Sequence, residues 1–192
     1  MNIKVVKFGG SSLADAEHFK QVASIIKADP ARRFVVASAP GKRCKEDIKV
    51  TDLFYECYER SHNQQDIDEV YSKIVDRYNA IIEGLGLDFD IDGEFEYVKS
   101  ALQHRAGRDF AASRGEYLNA KLIASYLGYD FVDAASMIRF DEKGRFMEDF
   151  RKHACLCCIP EGCIQMVAMV DNRHHRHLVH PDQLTQRIRQ KS

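Results

Sequence analysis

The chain has 192 residues, 45% of them apolar and 30% charged, with a formal net charge of −1. That length supports one domain with a substantial core, and the balance excludes a disordered chain, a global attraction to nucleic acid and adsorption to an anionic membrane. No apolar run is long enough to span a bilayer, and Met1–Lys4 leads into a strand-like stretch without a signal-peptide core. The six cysteines, two isolated and four crowded between 155 and 163, fit reduced thiols, so a cytoplasmic protein is expected.

Residues 3–8 and 34–39 ("FVVASA") are valine-rich runs with the composition of buried strands. Between them Phe19, Val22, Ala23 and Ile26 recur at helical spacing, with Asp15 as an N-cap and Asp29-Pro30 as a stop. Strand, helix and strand in that order make a βαβ unit, so the two strands are expected to be parallel. Past a loop at 40–49 the chain turns helical. Leu53, Phe54, Cys57 and Tyr58 share one face, as do Val70, Ile74, Tyr78 and Ile81, with Gly84 as the C′ residue. Phe95, Val98 and Leu102 mark a further helix stopped near Gly107. Leu118, Leu122 and Tyr126 mark the next, closed by Gly128. "DFVDA" and "MIRF" read as strands joined by a turn at 141–144. The apolar helical stripes between 70 and 127 fit core or a subunit contact, which leaves a homo-oligomer open. The acidic run "DFDIDGEFE" fits a solvated turn and helix start.

The stretch "VVKFGGSS" at 5–12 places Lys7, Gly9, Gly10, Ser11 and Ser12 where the first strand gives out. Two glycines between a parallel strand and a helix let backbone N–H groups face an anion, and Lys7 reaches phosphate oxygens as a point charge. The carboxyl ends of such strands are where open α/β sheets bind ligands. On spacing alone, a tight turn with a snorkelling lysine accounts for the stretch about equally well. Ser38-Ala39 ends the second strand ahead of a Pro-Gly turn, with Thr51 near the following helix start. Asp109, Ser113, Gly115 and Glu116 surround what reads as a break before a helix. Taken singly, Thr51 and Ser113 read as N-caps and Glu116 as a first-turn carboxylate.

Together, "KFGGSSLAD", "SAPGKR…VTDL" and "SRGEYLNAKLIASYLG" followed by "FVDAA" resemble the amino-acid kinase superfamily, and within it the aspartate kinases. The resemblance runs from residue 1 to about 146. It implies a three-layer αβα fold, here incomplete, with a mostly parallel sheet and an inserted helical stretch. It also implies transfer of the ATP γ-phosphoryl group to the β-carboxylate of L-aspartate, the first step of lysine, threonine and methionine biosynthesis, with Mg²⁺. By the same resemblance Lys7 neutralises charge on the transferring group, while Gly9, Gly10 and Ser11 cradle it. Ser38, Thr51 and Glu116 hold the aspartate, Glu116 by pairing with its ammonium group.

From residue 151 the composition shifts. The tail holds Cys155, Cys157, Cys158 and Cys163, five of the eight histidines, seven Lys/Arg against three Asp/Glu, and no clear helical or strand period. The glycine-rich G-R-G-G-S-D and T-D-x-x-G blocks that follow in that family do not appear. An out-of-frame or truncated tail, with little or no kinase activity, fits these features. The alternative is a non-catalytic partial kinase fold with an interaction or zinc-binding role, through the tail cysteines and His174, His175, His177 and His180. Residues 1–150 and 151–192 are expected to be separate units.

Overall fold

The computed structural model describes residues 3–137 and one further strand, Gln165–Ala168. Strand β1 (Lys4–Phe8) runs into a 3-10 turn at Gly10–Leu13 and then helix α1 (Ala16–Lys27). The extended Asp15 accepts a hydrogen bond from the His18 amide at 3.0 Å, meeting one of the unpaired donors at the helix start. Phe19, Val22, Ala23 and Ile26 are the buried face, as their spacing predicts. Asp29 then accepts from the Ala31 amide at 2.9 Å and turns the chain around Pro30 into β2 (Arg32–Ala37). β1 and β2 pair in parallel, which completes the expected βαβ unit.

Five helices and two strands follow: α2 (Val50–His62), α3 (Asp68–Leu85), α4 (Asp92–Gln103), α5 (Arg108–Leu127), β3 (Asp130–Asp133), the short α6 (Ala134–Met137) and β4 (Gln165–Ala168). The sheet order is β1-β2-β4-β3, with every pair parallel. The strand β4 comes from the tail that shows no strand period, and it lies between β2 and β3. An interior strand of a parallel sheet reads as a short continuous apolar run, here "MVAMV" at 166–170, rather than as an alternation, and so short a run carries no period that separates strand from helix. No helix among the described residues is long and apolar enough to cross a membrane.

Two apolar clusters share α5. Val35 and Ala37 of β2 pack with Leu13, with Phe19 and Ile26 of α1, and with Ala120 and Ile123 of α5. The second cluster is helical and joins Phe54 and Cys57 of α2, Ile74 and Tyr78 of α3, Phe95 of α4 and Leu118 of α5. Its buried hydroxyls are satisfied by backbone: Tyr71 donates to the Phe95 carbonyl and Tyr78 to the Gly115 carbonyl, each at 2.7 Å. Burial pushes the Cys57 thiol up to about 12, which leaves it an inert packing group.

Several boundaries differ from those read off the sequence. α3 runs through Gly84 and ends at Leu85, with Gly86 in the left-handed region at φ 60°. The Gly86 amide reaches the Glu83 carbonyl and the Leu87 amide reaches Ile82, a Schellman closure. α4 ends before Gly107, with Arg105 at φ 61°, and Gly107 caps the start of α5. Met137, expected in a strand, lies in α6, and the rest of "MIRF" and the turn at 141–144 fall outside the described residues.

Gly84 has a packing reason to be glycine: a Cβ there would sit 2.6 Å from the Ala16 Cβ of α1. Alanine in a helix interior gains up to about 1 kcal/mol over glycine, whereas overpacking typically costs about 1–3 kcal/mol. Gly84→Ala should therefore lower the thermal midpoint in circular dichroism, against its helix propensity. A higher midpoint would mean that α1 and α3 do not touch at this point.

Candidate functional site

The site forms where the ends of β1 and β2 meet the middle of α5. β1 stops at Phe8, whose carbonyl accepts from the Ser38 amide at 3.1 Å. The two loops then close on each other, the Gly41 amide donating to the Gly10 carbonyl at 2.9 Å. A Cβ on Gly10 would lie 2.8 Å from the Ala39 carbonyl oxygen, and one on Gly41 would lie 2.6 Å from the Gly10 carbonyl carbon. Both glycines are thus required by backbone approach. Gly9 differs: nothing lies within 4 Å of where its Cβ would be, and its φ of −77° suits any residue.

Lys7, Gly9, Ser11 and Ser12 are exposed around this crossing. Ser11 and Ser12 lie in the 3-10 turn and leave the capping of α1 to Asp15.

α5 closes the site from below, and it does not start where the sequence indicates. It begins at Arg108 and passes unbroken through Ser113, Gly115 and Glu116, so Ser113 is no N-cap and Glu116 no first-turn carboxylate. A Cβ on Gly115 would stand 2.7 Å from the Ala39 Cβ, so this glycine lets α5 approach the β2 loop. Ser113 is fully buried, donates to the Phe110 carbonyl at 2.8 Å and accepts from two nitrogens of Arg114. The Arg114 guanidinium stacks on Phe110 and Tyr117, 4.6 Å from each ring centroid.

Glu116 faces the loops with its Oε2 buried and without a hydrogen-bond partner. Burial raises its carboxyl above the usual glutamate range, opposed by the backbone amides of Glu116 and Ala39 and by the charges of Arg114 and Lys7. One turn on, Asn119 is fully buried, donates to the Ser38 carbonyl at 2.6 Å and leaves its Oδ1 without a partner. Thr51 is half-buried on the first turn of α2, whose N-cap is Lys49 rather than Thr51. It follows Val50, whose amide bonds the Pro40 carbonyl at 3.2 Å and whose Cγ1 would lie 3.5 Å from a Cβ on Gly115. Lys7, Gly10, Ser38 and Glu116 therefore converge, with Thr51 at the flank. Two surface concavities, one lined by Glu83 and the acidic turn at 88–92, the other by Gln64, Asp66 and Arg105, lie elsewhere.

The sequence profile of the Amino acid kinase family matches residues 2–180. The chain belongs to that family. It is 41% identical over 138 residues to aspartokinase 3 of Bacillus subtilis (strain 168), a match covering 69% of this chain and 30% of that protein. It is 33% identical over 150 residues to the aspartokinase of Chlamydia pneumoniae, covering 73% and 32%. The crystal structure of Clostridium acetobutylicum aspartate kinase superposes with a TM-score of 0.81 at 42% identity, over 87% of this chain and 38% of that one. The chain thus spans about a third of the length of these relatives.

The family match extends past the motifs, which end near residue 146, and takes in β4. It also favours a kinase fold over a zinc-binding module. Among the described residues no group of three or more His, Cys, Asp or Glu is arranged to hold a metal ion, and the tail cysteines and histidines fall outside those residues.

Sequence reasoning passes over Asn119 and Gly41 in this candidate site, and over Arg77, which donates to the Gly41 carbonyl at 2.9 Å. Arg77 carries a signal in retrospect: its spacing from Val70 and Ile74 sets a charge on the apolar stripe of α3.

The raised Glu116 pKa fixes the sign of a stability effect. A carboxylate whose folded pKa lies above its unfolded value of 4.5 favours the folded state below that pH and loses this contribution as pH rises through the folded value. Glu116→Gln should thus raise the thermal midpoint at pH 7 and flatten its fall between mildly acidic and neutral pH. An unchanged pH profile would show that Glu116 titrates normally.

Proposed function

We propose that this chain carries the phosphoryl-cradling and aspartate-binding part of an aspartate kinase, which transfers the ATP γ-phosphoryl group to the β-carboxylate of L-aspartate. The observation that carries the reading is the buried, unpartnered Oε2 of Glu116 beside a glycine loop with a lysine at its edge. A carboxylate with a buried oxygen that no donor meets has a use for one, and the ammonium of an amino-acid substrate supplies it. Gly9 adds support. Its exposed backbone has open space beside it, so a ligand can approach the chain closely there.

In this reading Gly9, Gly10 and Ser11 cradle the transferring group through backbone and hydroxyl donors, and Lys7 offsets its charge. Glu116 orients the ammonium of aspartate, with Ser38 and Thr51 lining the amino-acid side. No residue is needed as a base, since the acceptor carboxylate is already ionised at neutral pH. An oxygen of that carboxylate attacks the γ-phosphorus as the β–γ bridging oxygen departs with ADP, and the chain's task is alignment and charge neutralisation. Mg²⁺ supplies further neutralisation when bound. It suits this site as a nucleotide-borne ion, because magnesium keeps several waters and binds largely through substrate phosphates.

Calorimetry with L-aspartate tests the reading on the 192-residue chain. Aspartate should bind, and Glu116→Gln should weaken it roughly 10- to 100-fold, the worth of about 1.5–3 kcal/mol for a hydrogen bond to a charged group. Succinate, which lacks the ammonium, should bind the wild type and the variant equally weakly. Equal aspartate affinity for both proteins would sink the assignment of Glu116. Lys7→Met should leave aspartate binding within a fewfold while abolishing any hydroxamate formed when ATP, Mg²⁺ and hydroxylamine are supplied.

A further inference from the structure

Arg77 sits on the buried side of α3, next to Tyr78, with 5% of its side chain exposed. A guanidinium placed there is costly unless its donors are met. Here they are met by one loop. One terminal nitrogen donates to the Gly41 carbonyl at 2.9 Å. The other donates to both carboxylate oxygens of Asp47, at 2.6 and 2.7 Å, and reaches the Ile48 carbonyl at 3.3 Å. Asp47 is held from its far side by Arg43, through the amide at 2.9 Å and two guanidinium nitrogens at 2.9 and 3.1 Å. Arg43, followed by the charge of Arg77, keeps the Asp47 carboxyl well below the usual range, so it stays ionised at any working pH.

The loop so gripped is the one that meets the glycine turn. Its Gly41 carbonyl accepts from Arg77, and its Gly41 amide donates to Gly10. One residue therefore links a buried cation on one side to the backbone of the candidate cradle on the other. The same loop carries the exposed Lys42, Lys45 and Lys49 against one exposed acid, Glu46, so its remaining charges do not hold it closed.

We propose that Arg77 is a positioning residue for the phosphate cradle. It fixes the Gly41 carbonyl and the Asp47 carboxylate from the core side, and so sets the height at which Gly41 presents its amide to Gly10. The cradle itself rests on the reading of residues 7–12 given under the proposed function; the grip on the loop does not. Lysine is a poor substitute at this position, because a single ammonium lacks the planar fork that meets Gly41 and Asp47 together.

The test compares the 192-residue chain with Arg77→Met, Arg77→Lys and, as a control on the same face of α3, Ile74→Val. Two quantities are read: hydrogen exchange of the Gly41 amide, and affinity for Mg²⁺ with a non-transferable ATP analogue. Arg77→Met should speed Gly41 exchange at least tenfold relative to α5 amides and weaken the analogue at least tenfold, with Arg77→Lys between it and wild type. Ile74→Val should lower the thermal midpoint while moving neither quantity. Unchanged Gly41 exchange in Arg77→Met overturns the proposal. So does faster exchange with undiminished affinity for the analogue. A wild type that does not bind the analogue refutes the cradle instead, and the exchange comparison alone then decides whether Arg77 holds the loop.

Discussion

Two stretches of backbone approach at Gly10 and Gly41 more closely than any side chain permits, and most of the site depends on that contact. The single hydrogen bond across it, from the Gly41 amide to the Gly10 carbonyl, joins the loop after β1 to the loop after β2. Gly115 repeats the device from beneath, letting α5 touch Ala39. Three glycines thus replace what would otherwise be three side chains' thickness of separation. The carboxyl ends of two strands and the middle of a long helix are drawn together, at the end of the sheet where parallel α/β folds commonly place their ligand sites.

Around this contact the fold treats buried charge in two opposite ways. The Arg77–Asp47 pair is met on nearly every side, by Gly41, Ile48 and Arg43, and behaves as a rigid brace. Glu116 and Asn119 are each left with one buried oxygen unmet. A satisfied pair holds geometry, while an unsatisfied acceptor is free energy held back until a partner arrives. The same amino-acid-kinase scaffold places the first kind beneath the loops and the second kind facing them.

Much of the fold was legible because its signals were local. α1 has its cap at Asp15, its stripe through Phe19 and Ile26, and its stop at Pro30, and all agree. The parallel pairing of β1 and β2 followed from the helix between them. The failures came where a residue's reason lies in a distant partner. Gly84 looks like a helix terminator, yet it is glycine because of Ala16, and the left-handed residue is Gly86 two positions later. Ser113 and Gly115 look like a break, yet Ser113 braces Arg114 and Gly115 admits Ala39. In the candidate site, the glycine pair and Lys7 stood out by pattern, and Glu116 only through the resemblance to aspartate kinases. Arg77 and Asn119 did not, since their acceptors lie 36 and 81 residues away, respectively.

The position of β4 constrains the order in which the fold can be made. β2 and β3 are never neighbours; each pairs with Gln165–Ala168, which is the last described strand in the chain but an interior one in the sheet. On a ribosome, β1, α1 and β2 can pair early, while the inner edge of β2 keeps its amides and carbonyls unpaired until the chain has grown more than 120 residues further. Contacts of such sequence separation are slow to form, because loop closure comes before any of the stabilisation it permits. During that interval a hydrophobic edge, Phe34-Val35-Val36, is open to pairing with any other strand, including that of a second nascent copy. A short exposure of that edge during synthesis therefore favours a correctly closed sheet over pairing between copies.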